Sequence, residues 1–289
     1  MKQQKKIVFI VNPISGDTQK LRIVEQIHAV LNDKIDYDIQ YTEYARHAID
    51  LAKKAIQNKA DAVIAVGGDG TVNEVGSALI NSEAALGVVP SGSGNGFARH
   101  LKIPMDIKSA LHRILEFNII QIDTGSVNSK PFLATTGTGF DSHVAHKFAD
   151  FGKRGILSYM QISTSEYLNY KAKDYEIYVD NQKIENKAFL IVVANSSQYG
   201  NNAWIAPNAS LTDGLFNIGI LEKFPAALLP DILLRLFNKT IEKSKYYHSI
   251  TGKEVIIKQV DDYHIDGEPM KGGLDLHIQM NPKSLNVIS

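Results

Sequence analysis

The sequence contains no cysteine and only one tryptophan in 289 residues, so disulfides and thiol chemistry are excluded. The lack of cysteine is also typical of proteins in a reducing compartment. The chain has no excess charge either, because 31 basic residues balance 31 acidic ones. A general nucleic-acid-binding protein is usually basic, and we therefore expect no nucleic-acid partner.

Long hydrophobic runs are lacking as well. The first apolar run, Ile7–Val11, is too short for a signal peptide and ends at Asn12-Pro13. No run approaches the roughly 20 apolar residues that a membrane span requires. We therefore expect a cytoplasmic protein that can still contact the inner face of the membrane. Its 44% hydrophobic content is enough for a sizeable core.

Strand-like and helix-like segments alternate over residues 1–125. Strands are predicted at Ile7–Val11, Tyr37–Tyr41, Ala62–Val66 and Leu86–Val89, and the segments between them have helical spacing. This alternation is typical of an α/β domain with a mostly parallel sheet covered on both faces.

Residues 126–289 show a different pattern, which favours an all-β sandwich. The predicted strands are Phe132–Thr136, Tyr175–Val179, Phe189–Ala194, Leu215–Leu221, Glu254–Gln259 and Leu274–Gln279. We predict only two helices here, near Leu157–Leu168 and Leu229–Ile241. The apolar C-terminal segment Ser284–Ile288 is expected to pack back onto the first domain.

Three glycines surround one carboxylate in Gly67-Gly68-Asp69-Gly70-Thr71, directly after an apolar strand. Glycine lets the main chain approach an anion, and the N-terminus of the following helix offers N–H groups to a phosphate. Asp69 would repel phosphate unless a divalent cation lay between them. The loop therefore indicates a metal–nucleotide site, although a turn in which Asp69 caps the helix is an alternative.

Two further loops, Asn12–Gly16 and Gly92–Gly96, also follow predicted strands. Because parallel strands bind ligands at their carboxyl ends, we expect all three loops to meet at one edge of the sheet. The G-x-x-x-x-G-K-[ST] motif of P-loop proteins is absent. In the second half, Leu211–Leu215 and Ile265–Pro269 carry carboxylates at turns, and taken in isolation each segment fits a plain β-turn better than a functional site.

These five segments, taken in order, resemble the diacylglycerol kinase catalytic-domain family, which includes bacterial lipid kinases and sphingosine kinases. The run from Gly67 to Glu74 is the most specific part of the resemblance. The resemblance implies a Rossmann-like N-terminal domain, a β-sandwich C-terminal domain and an ATP cleft between them. Gly96 stands where many bacterial members have aspartate, which is closer to the sphingosine-kinase pattern.

The resemblance also implies roles for individual residues. Asp69 would act through magnesium and phosphate, and Glu268 would be the general base for the acceptor hydroxyl. Magnesium would be held by Asp213 with the main-chain carbonyls of Ser210 and Leu215. The implied ATP-binding residues are Asn12, Pro13, Ile14, Ser15, Gly16, Thr42, Gly68, Asp69, Gly70, Thr71, Val72, Asn73, Glu74 and Ser93.

The expected function is therefore that of an ATP- and Mg²⁺-dependent lipid kinase acting on diacylglycerol, a sphingoid base or a related lipid. Two alternatives stay open: an NAD kinase-like enzyme, and a nucleotide-binding regulator whose kinase site has degraded. The presence of Asp69, Asp213 and Glu268 argues against degradation.

Contacts beyond the site are less determined. The segment Leu229–Ile241 has an apolar stripe at helical spacing with several lysines nearby, so it fits either a membrane surface or the protein core. His143 and His146 are three residues apart but lack further candidate metal ligands. A homodimer is left open by the sequence.

Overall fold

The computed structural model describes residues 5–13, 20–31, 35–150 and 156–289. The chain forms two compact units, Met1–Ile122 with Lys283–Ser289, and Asp123–Pro282. Within the described ranges, no helix combines the length and the apolar character needed to cross a membrane.

The first unit is an α/β domain, as predicted. Its strands are β1 (Lys6–Val11), β2 (Asp36–Tyr41), β3 (Ala62–Gly67) and β4 (Ala85–Pro90), and its helices are α1 (Lys20–Leu31), α2 (His47–Gln57), α3 (Asp69–Leu79), α4 (Gly96–His100) and α5 (Ile107–Glu116). The strands lie in the order β2–β1–β3–β4, and all neighbours are parallel. The last strand of the chain, β14 (Glu268–Ile288), ends beside β4, where Val287 pairs with Leu86.

Both faces of this sheet are buried. Alternate strand residues such as Phe9 and Ile64 join one core with Ile27 of α1 and Leu111 of α5. The strand residues between them, such as Val8, are buried as well. Because successive side chains of a strand point to opposite faces, the continuous apolar strands follow from burial on both sides.

The second unit is an antiparallel β-sandwich, and its described residues include three α-helices. After β5 (Ile119–Val127), which enters it from the first unit, its strands are β6 (Lys130–Phe132), β7 (Thr135–Gly139), β8 (Lys173–Val179), β9 (Gln182–Ala188), β10 (Leu190–Ala194), β11 (Phe216–Leu221), β12 (Tyr247–Gly252) and β13 (Glu254–Ile265). The helices are α6 (Phe140–Asp150), α7 (Ile156–Tyr167) and α8 (Leu229–Phe237). The main path of strands is β12–β11–β10–β7–β13–β14, with β8 also paired to β13.

Strand β10 separates two apolar cores in this unit. Ile191 and Val193 belong to a core shared with β8, β11, β13 and β14, whereas Val192 packs with the three helices and the aromatic residues Tyr167 and Phe189. The alternation of side chains along β10 places each set on its own face. All five residues of β10 are buried.

The predicted strand Phe132–Thr136 is wrong as a single element. Strand β6 ends at Phe132 and β7 begins at Thr135. The interruption has a clear cause: the main-chain N–H groups of Leu133, Ala134 and Thr135 donate to the carboxylate of Asp266 instead of to a neighbouring strand.

The helix predicted over Leu229–Ile241 is also shorter than expected. It ends at Phe237, and Lys239 adopts a left-handed conformation with φ of 58° that no α-helix continues through. Its stripe packs mainly inward, because Ile232 is buried and Leu229 and Leu236 contact the helix-covered core. Helices α5 and α6 and strands β5, β9 and β12 were not predicted.

Candidate active site

The glycine-rich loop of the first unit lies between β3 and α3. Helix α3 begins at Asp69, and Gly68 precedes it in an extended conformation. A Cβ on Gly67 would lie 2.4 Å from Oγ1 of Thr71, so this turn requires glycine there. The N-terminus of α3 lies directly after this turn, and the main-chain N–H groups of a helix N-terminus suit a phosphate.

A second glycine loop lies against the first. A Cβ on Gly92 would lie 2.4 Å from the Cα of Gly68, and the N–H of Ser91 donates to the carbonyl of Gly67 at 2.9 Å. Asn95 braces this second loop from inside: its Oδ1 accepts from the N–H of Gly92 at 3.1 Å, and its Nδ2 donates to the carbonyl of Gly92 at 2.8 Å. The two loops thus meet main chain to main chain.

The end of β1 joins the same edge of the sheet. The side-chain amide of Asn12 donates to Oγ1 of Thr71 at 3.2 Å. Thr42, directly after β2, is buried, and its N–H donates to the carbonyl of Val11 at 3.0 Å. Pro13 follows in a turn. Three other residues of this predicted loop, Ile14, Ser15 and Gly16, lie outside the described residues.

The remaining residues of the predicted nucleotide site differ in what they offer. Asp69 is half-buried, and its carboxylate accepts from the N–H of Phe97 at 3.3 Å, which ties α3 to α4. Val72 is buried in the core, so only its main chain is available to a ligand. Gly70 and Asn73 are half-buried, whereas Ser93 is exposed.

Glu74 has a structural role that the sequence did not indicate. Its carboxylate oxygens accept from the N–H groups of Arg46 and Ala48, both at 3.2 Å, at the N-terminus of α2. Burial raises the pKa of the Glu74 carboxyl, while these two hydrogen bonds act in the opposite direction. Arg46 has φ of 69°, so Glu74 holds the loop after Thr42 in a left-handed turn.

In the second unit, Glu268 is the first residue of β14, directly after the tight β13–β14 turn. The two turn residues, Asp266 and Gly267, have φ of 48° and 83°. This is the conformation that an Asp-Gly pair favours in a two-residue hairpin. The side chain of Glu268 is exposed.

Asp266 anchors this turn. Its Oδ2 accepts from the N–H of Leu133 at 2.9 Å, and its Oδ1 accepts from those of Ala134 and Thr135 at 2.9 and 2.8 Å. Its own N–H donates to the carbonyl of Thr135 at 2.8 Å. Charge-assisted hydrogen bonds of this kind are about twice as strong as neutral ones, so the turn before Glu268 is held firmly.

The predicted metal residues lie on the loop before β11. Asp213 is exposed, and its Oδ1 accepts from the N–H of Leu215 at 3.0 Å. Ser210 contacts Thr212 through their hydroxyls at 3.3 Å. The Gly214 N–H donates to Oδ2 of Asp123 at 2.7 Å.

Asp123 was missed by the sequence analysis. It is 1% exposed, and its main-chain N–H donates to the carbonyl of Leu211 on the same loop. Asn195 links this loop to the anchored turn, since its Nδ2 donates to the carbonyls of Asp123 and Leu133 at 2.9 and 2.8 Å. The surroundings of Asp213 and of Glu268 are therefore joined by one hydrogen-bonded path.

The donor set around Asp213 fits a hard cation. A carboxylate, main-chain carbonyls and hydroxyls are the oxygen ligands that Mg²⁺ prefers. No group of three or more histidines, aspartates or glutamates that could bind a metal occurs among the described residues. A magnesium site at this loop would therefore depend on the carbonyls of Ser210 and Leu215. His143 and His146 diverge, the first to Glu166 at 2.7 Å and the second to Asp262 at 3.6 Å.

Two family models together match most of the chain. The diacylglycerol kinase catalytic domain matches residues 6–127, and the YegS C-terminal NAD kinase beta sandwich-like domain matches residues 134–289. A probable lipid kinase YegS-like protein from Pectobacterium atrosepticum is 30% identical over 91% of this chain and 89% of its own length. A diacylglycerol kinase from Staphylococcus saprophyticus is 28% identical over 92% of this chain and 89% of its own length.

Solved structures share the fold. A diacylglycerol kinase from Bacillus anthracis superposes with a TM-score of 0.78 at 21% identity, covering 100% of this chain and 98% of that one. Yeast NADH kinase complexed with NADH superposes with a TM-score of 0.51 at 11% identity, covering 99% and 83%. At these identities the likeness concerns the fold alone.

Proposed function

The chain belongs to the diacylglycerol kinase catalytic-domain family, and we propose that it transfers the γ-phosphoryl group of ATP to a lipid hydroxyl with Mg²⁺. The observation that carries the proposal is the meeting of the Gly68 and Gly92 loops at the N-terminus of α3. Neither glycine carries a side chain at this close main-chain contact. A polyphosphate is the ligand class that such a cradle suits.

The proposed chemistry assigns each described group a task. The acceptor oxygen forms a bond to the γ-phosphorus, the bond from that phosphorus to the bridging oxygen breaks, and ADP leaves. Glu268 takes the hydroxyl proton. Phosphoryl transfer needs mainly positioning, charge neutralisation and such a base.

Magnesium would be held by the Asp213 carboxylate and the carbonyls of Ser210 and Leu215, and Asp69 would face a metal–phosphate group. When bound, the ion supplies charge neutralisation at the phosphate oxygens. Asp123 would keep the loop in place through the Gly214 N–H. Its burial makes it a support for the loop and leaves the exposed Asp213 as the ligand.

The test is incubation with radiolabelled ATP and a panel of diacylglycerol, monoacylglycerol, ceramide, sphinganine, phosphatidylglycerol and NAD, with and without Mg²⁺. We expect label in one lipid class and none without the ion. Label in NAD alone would overturn the proposal in favour of an NAD kinase-like enzyme. ATP binding without transfer to any acceptor would favour a degraded regulator.

We also propose that α8 contacts an anionic membrane surface from which the lipid is taken. Although most of its stripe faces the core, Leu234 and Phe237 are 61% and 37% exposed. Lys239 and Lys243 are exposed nearby, and Nζ of Lys239 lies 3.8 Å from the ring centre of Trp204. Apolar side chains flanked by lysines suit an anionic bilayer surface.

This contact is tested by sedimentation with vesicles containing anionic phospholipid. The double variant Lys239→Glu and Lys243→Glu is expected to bind at least about tenfold more weakly, since each lysine near such a surface contributes about 1 kcal/mol. The exposed Lys187 of β9 provides the control Lys187→Glu, which should bind like the unaltered protein. Equal binding by all three proteins would exclude this role for α8.

A further inference from the structure

A buried, hydrogen-bonded cluster lies next to the turn that precedes Glu268. The side chains of His264 and Asp141 are 3% and 5% exposed, and Nε2 of His264 lies 3.1 Å from Oδ2 of Asp141. Asp141 also accepts from the hydroxyl of Tyr199 at 3.0 Å and from the N–H of Ser142 at 2.7 Å. A buried carboxylate is tolerated because these donors compensate for its lost hydration.

The sheet leaves room for this pair at one position of β7. A Cβ on Gly137 would lie 3.0 Å from Oδ2 of Asp141 and 3.2 Å from Nε2 of His264. It would also lie 2.5 Å from the carbonyl oxygen of Ile191. Glycine at this strand position therefore accommodates the contact between the two side chains.

The other ring nitrogen of His264 faces the turn. Its Nδ1 lies 3.4 Å from the main-chain nitrogen of Gly267. A main-chain N–H can only donate, so Nδ1 must be unprotonated to accept from it. The ring proton then resides on Nε2, where it is donated to Asp141. One neutral tautomer satisfies both contacts.

We infer that His264 is a positioning residue for Glu268, and that Asp141 holds the imidazole in the tautomer whose Nδ1 accepts from Gly267. Gly267 directly precedes Glu268, so this hydrogen bond restrains the main chain one residue before the base. Asp266 restrains the same turn from its other side through residues 133–135. The inference rests on the proposed function, because it explains how the base of that reaction is oriented.

A fixed turn matters because a general base must lie within hydrogen-bond reach of the proton that it removes. Small misplacements of a reacting group, about 1 Å, can lower the rate by about a hundredfold. The side chain of Glu268 is exposed, and the main chain that carries it fixes the point from which that side chain projects.

Two substitutions separate the two ring nitrogens. In His264→Gln, the amide nitrogen takes the place of Nε2 and can still donate to Asp141, but nothing accepts from Gly267. In His264→Asn, the side-chain oxygen takes the place of Nδ1 and can still accept from Gly267, but the shorter side chain does not reach Asp141.

We expect His264→Gln to unfold near the temperature of the unaltered protein while kcat falls about tenfold or more and the KM for ATP stays constant. His264→Asn should show the reverse, with a lower unfolding temperature and more of kcat retained. A purely structural role predicts that kcat and the unfolding temperature fall together in both variants. That result, or an unaltered kcat in His264→Gln, would overturn the inference.

Nitrogen-15 NMR of the imidazoles provides a readout that does not depend on activity. The protein has 9 histidines, and the His264 signals are those lost in His264→Gln. We expect an unprotonated Nδ1 and a protonated Nε2, and the opposite tautomer would contradict the inference. If the unsubstituted protein is active and His264→Gln turns over equally fast, only the positioning role of His264 is excluded. If the unsubstituted protein is inactive on every lipid, the proposed function itself is overturned.

Discussion

The candidate loops of the two units differ in the contacts that bring them together. In the first, Gly68 and Gly92 meet through their main chains because neither has a side chain. In the second, loops are held by side chains, above all the carboxylates of Asp266 and Asp123. The proposed function gives a reason for this difference. A phosphate would be bound by main-chain N–H groups, whereas a catalytic carboxylate would have to project from a turn that is itself anchored.

The comparison also predicts different sensitivities. A loop built on close main-chain approach should tolerate polar changes but no added volume. A turn anchored by a carboxylate should tolerate added volume at its exposed tip but not the loss of an acceptor. Three substitutions and one pH titration probe the two units, and they are given from the largest expected effect to the smallest.

The largest effect is expected for Glu268→Gln in the second unit. Removing the base should lower kcat by about 10²- to 10⁴-fold, while ATP binding and the unfolding temperature stay unchanged. Steady-state kinetics measures kcat, nucleotide titration measures ATP binding, and thermal unfolding measures the unfolding temperature. Glu254→Gln, at the start of the same hairpin, is the matched control and should turn over normally. Near-normal turnover of Glu268→Gln would mean that another group accepts the proton.

Asp266→Asn tests the anchor of the same turn. Its carboxylate accepts from three main-chain N–H groups, and an amide nitrogen in place of one oxygen would face a donor. We expect the free energy of unfolding to fall by about 1–3 kcal/mol, with a matching loss of kcat. Denaturant titration measures the stability. An unchanged midpoint would show that side-chain anchoring is not what distinguishes this unit.

Gly92→Ala applies the opposite test to the first unit. The added methyl would lie 2.4 Å from the Cα of Gly68, so the loops must separate. We expect a loss of about 1–3 kcal/mol in stability and weaker ATP binding. The control for stability is Ser93→Ala on the same loop. Because Ser93 is exposed, this substitution should change the free energy of unfolding by no more than about 0.5 kcal/mol. Full ATP affinity in Gly92→Ala would contradict a cradle formed by close main-chain contact.

The smallest effect concerns acid pH and the first unit. Burial lowers the pKa of His100 to about 4, so the folded protein favours the neutral ring. The stabilisation is complete above the ordinary pKa of about 6.5 and is lost as the pH falls toward 4. Between pH of about 7 and about 5.5 we expect a loss of about 1 kcal/mol in the free energy of unfolding.

Denaturant titrations over this pH range measure the effect. His100→Gln should remove this part of the pH dependence, whereas His112→Gln, an exposed histidine on α5, should retain it. Equal pH dependence in all three proteins would place the acid-sensitive group elsewhere in the molecule.

The α/β half was predictable because its signals are local and strong. Strands such as Ala62–Gly67 are buried at every position, so their apolar runs stand out from the helices around them. The helix α6 was missed because its sequence, with Asp141, His143 and Lys147 among apolar residues, has no clear stripe. The break in the predicted strand Phe132–Thr136 was missed because Asp266, which causes it, lies more than a hundred residues away in the sequence.

Candidate site residues could be identified only where they lie in short motifs. The Gly67–Glu74 run was identified from its own glycines and carboxylate, whereas Asp213 and Glu268 received their expected roles from the family resemblance. Asp123 and Asn195 were missed, because single polar residues in strand-like segments carry no motif. What distinguishes these two residues is that they are polar and buried, and burial is known only once the fold is known.

The sequence alone determined the alternation of strands and helices from β1 to α4 in the first unit and the glycine-rich loops after β3 and β4, since both depend on neighbouring residues. Only the tertiary structure decided that Glu74 caps α2, that Asp266 anchors the turn before Glu268, and that the side chains of Asp141 and His264 are in hydrogen-bond contact. Each of these contacts joins residues 26 or more positions apart, such as the 133 between Leu133 and Asp266. Contacts of that separation arise from packing, which no local pattern encodes.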